Sequence, residues 1–411
     1  MEEACFEAAE VAFHLRGSSL FIPPLRAIYA AFPAPRPQPL DTYEITWQPE
    51  ALCHWRSTTT PRHGHLRLHS PAFAPVVTTF LVGRLLEEAH PGLLTLHGNA
   101  LLSPTTARLL LLVGASGSGK STLSHLLAPY GYQQVSEDLL LIGRESRPHT
   151  EGGTADEHPP AGSCLFPFPR AAALRHARPG EEDLPWVAPG GGNAHGRRKH
   201  ILPSTAPASA APLPLSHCTV VVLQEPMPKR EPNQHGRLGG HCGHNHQQGG
   251  FSPPPASPAS LPSAWLTWSD DALIAALREA GIPVATVRKE NDLSCLQYSA
   301  PLDSTEWQRQ FQILDAAGAM LLSAGVDAPA SSLTAFPPEP LGRPLTPFEG
   351  VEACLPHLRR YRPLPPHAAA RHFITLARAF QSARFFSFAS GGTPEQAAYQ
   401  LRTMVDEPGE S

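Results

Sequence analysis

The sequence predicts an α/β fold in which a phosphate-loop core follows an N-terminal α+β unit and precedes a helical C-terminal region. Three observations carry this. Residues 108–142, "RLLLLVGASGSGKSTLSHLLAPYGYQQVSEDLLLI", read in order as apolar strand, glycine loop, helix, turn and strand. The run "LLTLHGNALLS" just before it is joined to "RLLLLVG" by "PTTA", the mark of paired strands. Further on, "CTVVVLQ" is short, apolar and β-branched, as a buried strand requires.

Residues 1–92 read as a separate unit. "SLFIPPLRAIYAAF" and "TYEITW" predict strands and a short helix, and Val76–His90 has helical spacing that Pro91-Gly92 stops. Residues 93–325 form the core, interrupted by polar, turn-rich insertions near 143–162 and 226–262. Within it, "LFPFPRAAALR" is at most an edge strand, because proline cannot donate to a ladder. "SDDALIAALREAGI" is a capped amphipathic helix, "PVATVR" a strand, and 303–325 a long helix. A proline-rich linker follows, and 348–411 read as helices with one strand-like run, "RFFSFAS".

Composition excludes several classes. The 411-residue chain has a net charge of -4, so no overall basic field draws nucleic acid or anionic lipid. Its seven cysteines are an odd number without a CxxC, which fits a reducing cytoplasm rather than a disulfide framework. The first residues are acidic and unlike a secretory signal, and no apolar run is long enough to insert in a membrane.

The chemistry concentrates in Gly114-Ala115-Ser116-Gly117-Ser118-Gly119-Lys120-Ser121-Thr122, which fits G-x-x-x-x-G-K-[ST]. Glycines admit positive φ and let backbone N–H groups close on phosphate oxygens. A helix starting near Lys120 turns its dipole on the same charge, Lys120 neutralises the outer phosphates, and Ser121 can ligate Mg²⁺. Glu137 and Asp138 lie 17 and 18 residues beyond Lys120, on a strand expected to run parallel to the loop strand and bring them to the γ-phosphate. One carboxylate can hold the metal, with Ser121 and Asp138 as the ligand candidates, while the other takes the proton of an attacking hydroxyl. The bland alternative is an acidic pair in a solvated turn.

"LHGNALL…GASGSGKST…GYQQVSEDLLLI" resembles the catalytic core of HPr serine kinase/phosphorylase and its HprK-related relatives. The shared features are a His-Gly before the loop (His97-Gly98), the glycine after the first helix (Gly131), and the paired acids. The resemblance spans about residues 93–223. It implies a core like that of phosphoenolpyruvate carboxykinase, ATP–Mg²⁺ as donor and a serine hydroxyl as acceptor. It also implies Glu137 as catalytic base, Asp138 as its partner and His97 beside the phosphoryl group. The first acid here is Glu, one methylene longer than Asp, so the two roles can be swapped. An RGxGI signature after the acids is missing, which points away from HPr toward another protein, a peptide or a small serine-like molecule. Reverse phosphorolysis and homo-oligomer formation stay open.

Other readings are weighed against this one. A transporter ATPase needs LSGGQ followed by an apolar strand ending in Asp-Glu; "ASGGTPEQ" instead reads as a loop and helix cap at Thr393. An ATP-binding regulatory module with little phosphotransfer is the alternative function. Arg170, Arg197, Arg198 and Lys199 are candidates to clamp phosphate, though charged loops are commonly just solvated. The His235, His241, Cys242, His244 and His246 tract offers metal ligands but lacks the two separated pairs of a structural zinc site.

Overall fold

The computed structural model describes residues 1–69, 73–90, 92–115, 117–144, 162–174, 186–187, 199–202, 211–224, 262–290, 293–326, 341–359 and 366–406. The chain is mixed α/β, with several sheets and, among the described residues, eight α-helices.

The N-terminal strands β1 (Glu2–Ala8), β2 (Val11–Gly17), β3 (Asp41–Trp47), β4 (Leu52–Ser57) and β5 (His63–Arg67) form one sheet in that order. Helix α1 (Ile22–Tyr29) crosses between the parallel pair β2 and β3. Period-two alternation in "DTYEITW" puts Tyr43, Ile45 and Trp47 in the core. Phe6 stacks on Phe13 and Tyr29 there. Helix α2 (Ala74–Ala89) follows, two residues earlier in its start than the spacing predicts.

A nine-stranded sheet carries the site. Its members are β6 (Leu94–Leu102), β7 (Leu109–Gly114), β8 (Gln133–Ser136), β9 (Leu139–Arg144), β10 (Ser163–Phe166), β14 (Leu213–Pro214), β15 (Thr219–Leu223), β20 (Leu341–Leu345) and β21 (Arg384–Ala389). The order is β14-β10-β9-β6-β7-β15-β21-β20, with β8 also on β6. The predicted β6–β7 pairing is present and antiparallel. Strands β7, β15 and β21 run parallel. Helix α3 (Lys120–Leu127) packs on one face with α8 (Pro394–Asp406); α6 (Pro347–Cys354) and α7 (Pro366–Ala379) pack on the other. Between them in the chain, β11 (Ala172–Leu174), β12 (Trp186–Val187) and β13 (Lys199–Leu202) make a small separate sheet.

Two expectations change. The run 133–142 is two strands, not one, and neither neighbours β7: both pair antiparallel to β6, which lies between them and the loop strand. The long helix expected over 303–325 ends at Ala316, because Gly318 takes φ +69 and turns the chain into β19 (Leu321–Val326). With β16 (Pro262–Leu266), α4 (Asp271–Glu279), β17 (Val284–Glu290), β18 (Leu293–Tyr298) and α5 (Ser304–Ala316), β19 completes a βαββαβ unit of strand order β17-β18-β16-β19, the split βαβ of ferredoxin-like units. The strand-like run "RFFSFAS" is a strand, as expected. Strand β21 sits beside β15 with Phe388 fully buried. The expected cap is also present: Gln396 N donates to Thr393 Oγ1 (3.2 Å) at the start of α8. Both insertions fall almost wholly outside the described residues.

Because β21 is internal to the sheet, Phe388→Ala removes a core side chain and is expected to cost about 3–5 kcal/mol. Urea denaturation of the full chain measures this. A loss below about 1 kcal/mol, the scale of a surface substitution, contradicts the placement of the strand.

Candidate functional site

Strand β6 organises the site. Along one edge, Leu94–His97 pair with β9 and Ala100–Leu102 with β8. The two residues left between those partners are Glu137 and Asp138, opposite Gly98 and Asn99. Asp138 takes φ +70, a left-handed conformation that Asp tolerates better than most side chains. Its backbone is held on both sides: Gly98 N donates to Asp138 O (3.3 Å), and Asp138 N donates to Asn99 Oδ1 (3.1 Å). Glu137 N donates to Phe168 O (3.0 Å), and Phe168 N to Ser136 Oγ (2.9 Å). Phe168 is itself buried edge-on against Phe32 of the N-terminal unit.

This bulge sends the two carboxylates to different neighbours. Glu137 is buried against α3. Its Oε1 accepts from Ser121 Oγ (2.5 Å), and its Oε2 from Asn99 Nδ2 (2.6 Å) and Gln134 Nε2 (3.3 Å). Asn99 Nδ2 also donates to Ser124 Oγ (3.0 Å), tying β6 to α3. Asp138 instead faces His97 and two guanidinium groups. Arg170 Nη1 lies 3.2 Å from its Oδ2, His97 Nδ1 3.1 Å and Arg359 Nη2 3.9 Å from its Oδ1.

The environments push the two carboxyl groups apart. Burial raises the Glu137 carboxyl to about 7, aided by the Asp138 charge and opposed by the Ser121 hydrogen bond, Arg170 and Lys120. Burial also acts to raise Asp138, but His97, Arg170 and Arg359 outweigh it and hold that carboxyl well below its usual range. Burial, with Arg359 and Lys120 nearby, lowers His97 to about 3, so its ring is neutral at pH 7. Arg359 Nη2 lies 2.8 Å from His97 Nδ1. The guanidinium can only donate to that nitrogen, while Asp138 O (3.2 Å) and Asp138 Oδ1 (3.1 Å) can only accept from it, so the two neighbours compete for Nδ1.

The glycine loop closes the other side. Gly117 and Gly119 have φ of +93 and +94, and Gly119 caps α3 with no side-chain partner. At Gly114 a Cβ would meet Ser118 Oγ at 2.7 Å and Leu223 O at 3.0 Å, so only glycine fits. Lys120 is buried and donates to Gly114 O (2.8 Å) and Ala115 O (2.7 Å). Thr122 is exposed; Ser116 lies outside the described residues.

The arrangement fits a nucleotide's phosphates. The buried atoms Ser118 Oγ, His97 Nε2, Arg170 Nε and Arg359 Nε have no hydrogen-bond partner. Ser121 and Glu137 are oxygen ligands of the kind magnesium takes. No group of three or more His, Cys, Asp or Glu that could hold a metal occurs among the described residues.

Of the residues singled out from sequence, His97, Glu137, Asp138, Lys120, Ser121 and Arg170 converge here. The contact with Ser121 is made by Glu137, not by Asp138, the acid grouped with Ser121 for the metal. Lys199 lies on β13 in the separate sheet; Arg197, Arg198 and the 235–246 tract are outside the described residues. Sequence reading missed Asn99 and Arg359. Asn99 left one signal, a lone amide in the apolar strand "LTLHGNALL"; Arg359 left none, being brought in from 262 residues beyond His97. Comparison with known proteins finds no family model and no curated sequence that matches the chain.

A raised pKa is a stability statement. Since the folded value of Glu137, about 7, lies above the ordinary 4.5, folding favours the protonated acid. That contribution is full below pH 4.5 and is lost as pH rises to about 7, a change of up to about 3 kcal/mol. Glu137→Gln keeps the shape and can still accept from Asn99 and donate to Ser121. It is expected to match wild type in melting temperature near pH 4.5 and to exceed it increasingly up to pH 7, with no further gain at pH 8. Calorimetry across that range tests this; a difference independent of pH contradicts a raised Glu137.

Proposed function

We propose that the chain is an ATP-dependent kinase that transfers the γ-phosphoryl group to a serine hydroxyl of a protein, a peptide or a small molecule. The observation that carries this is the division of the acid pair: Glu137 on Ser121 at the start of α3, Asp138 ionised among His97, Arg170 and Arg359. The resemblance of the loop, His97-Gly98 and the acids to HprK-related kinases supports the same reading.

In this reading the glycine loop and the N-terminus of α3 hold the phosphates, with Lys120 leaving its loop carbonyls for their oxygens. Ser121 and Glu137 would hold magnesium, which would supply positive charge against the phosphates. Metal binding requires the Glu137 carboxylate, and so opposes the burial that keeps it protonated. Asp138 accepts a hydrogen bond from the acceptor hydroxyl. As that oxygen bonds to the γ-phosphorus, the bond to the β,γ-bridging oxygen breaks, the hydroxyl proton passes to Asp138, and ADP leaves. Neutral His97 stands beside the transferring group, as the resemblance implies, with no other partner at its buried Nε2.

Incubating the protein with γ-labelled ATP and cell extract tests the proposal. A discrete labelled acceptor is expected; release of free phosphate alone contradicts it. Asp138→Asn is expected to lower transfer by about 10²–10⁴-fold while leaving ATP binding within a few-fold, and full activity in that variant removes Asp138 from the chemistry. Ser121→Ala is expected to weaken magnesium-dependent ATP binding in calorimetric titration, with little effect on binding measured without metal.

A further inference from the structure

We propose that Arg359 is a positioning residue that holds His97 and Asp138 in register, so that the C-terminal part of the chain completes the site. The inference rests on the kinase reading for its functional consequence and on geometry for the rest.

The chain delivers Arg359 along a short, well-defined path. Thr346 and Glu349 form a reciprocal cap at the start of α6. Beyond α6, a 3-10 turn at Leu355–His357 leads to Leu358, which bridges antiparallel to Leu96 of β6. Arg359 N then donates to Thr95 O (2.8 Å). Its backbone is thereby fixed on the same strand that carries His97, two residues along.

The side chain is fixed as well. Its guanidinium carbon sits 5.0 Å from the centre of the Phe80 ring on α2, a cation–π contact with the N-terminal unit. From there Nη2 reaches His97 Nδ1 at 2.8 Å and comes within 3.9 Å of Asp138 Oδ1. A flat, donor-only group between a ring nitrogen and a carboxylate sets the angle of the imidazole and the direction of the acid together. Buried Nε has no partner of its own. Arg170 approaches the other carboxylate oxygen, so Asp138 is gripped from both sides.

The test uses the full-length protein with γ-labelled ATP. Arg359→Ala is expected to lower kcat by about 10- to 100-fold, the usual cost of losing a group that orients a reacting one, with KM for ATP changed less than about threefold. Arg359→Lys is expected to recover little, because an ammonium cannot span His97 and Asp138. Added guanidinium ion is expected to restore part of the Arg359→Ala loss. Wild-type kcat in Arg359→Ala, or a defect confined to ATP binding, overturns the inference while leaving the kinase reading intact. If wild type transfers no phosphate, the kinase reading fails and a thermal cycle decides the positioning role. Asp138→Asn and Arg359→Ala together are then expected to lower the melting temperature by clearly less than the sum of the single losses. Strict additivity overturns it.

Discussion

One edge of β6 serves two strands, and the chain between those strands is two acids long. Hydrogen bonding along the edge holds β8 at one half and β9 at the other, so Glu137 and Asp138 must bulge. Antiparallel pairing fixes what they face: Glu137 turns to α3 and Asp138 to the cations beyond His97. Had the segment run as one continuous strand, the acids would have alternated across the sheet, one on each face. The left-handed backbone at Asp138 is the local strain that accompanies this bulge at the middle of β6, and Asn99 ties the two acids together.

The rest of the fold supports that edge. The N-terminal unit packs Phe32 against Phe168, which fixes the backbone of Glu137, and supplies Phe80 beneath Arg359. The C-terminal strands and helices complete the sheet beyond β15 and return a segment to the start of β6. The βαββαβ unit docks on the N-terminal unit through Arg84–Asp315 (2.8 Å) and His69 Nε2 near Ser294 Oγ (3.1 Å), and contributes none of the site contacts described. Three stretches far apart in the chain thus meet at two carboxylates. Their pKa values move in opposite directions because burial dominates at Glu137, which meets only neutral donors at hydrogen-bonding range, whereas at Asp138 burial is outweighed by His97, Arg170 and Arg359.

What could be read from the sequence was what depends on local order. The glycine loop, its strand and helix, the β6–β7 pairing, the helix over 74–89 and the caps at Asp270 and Thr393 follow from motifs or periodicity over fewer than about 20 residues. Pairing partners did not follow. A run such as "QQVSEDLLLI" carries strand character without saying which neighbour it takes, and the break at 137–138 exists only because β6 is shared. Periodicity also failed between Ala317 and Val326, where Gly318 turns the chain from helix to strand. Arg359 was illegible for a different reason. Nothing near it marks function, and its role comes from a bridge between Leu358 and Leu96.

The account turns on whether the acids flank a nucleotide's terminal phosphate. A crystal structure of the protein with magnesium and a non-hydrolysable ATP analogue measures this directly. The account predicts the phosphates in the loop 114–121, magnesium bound to Ser121 and reached by Glu137 directly or through one water, and Asp138 facing the γ-phosphate. A nucleotide seated in the loop with Glu137 and Asp138 both turned away from its metal and terminal phosphate contradicts it.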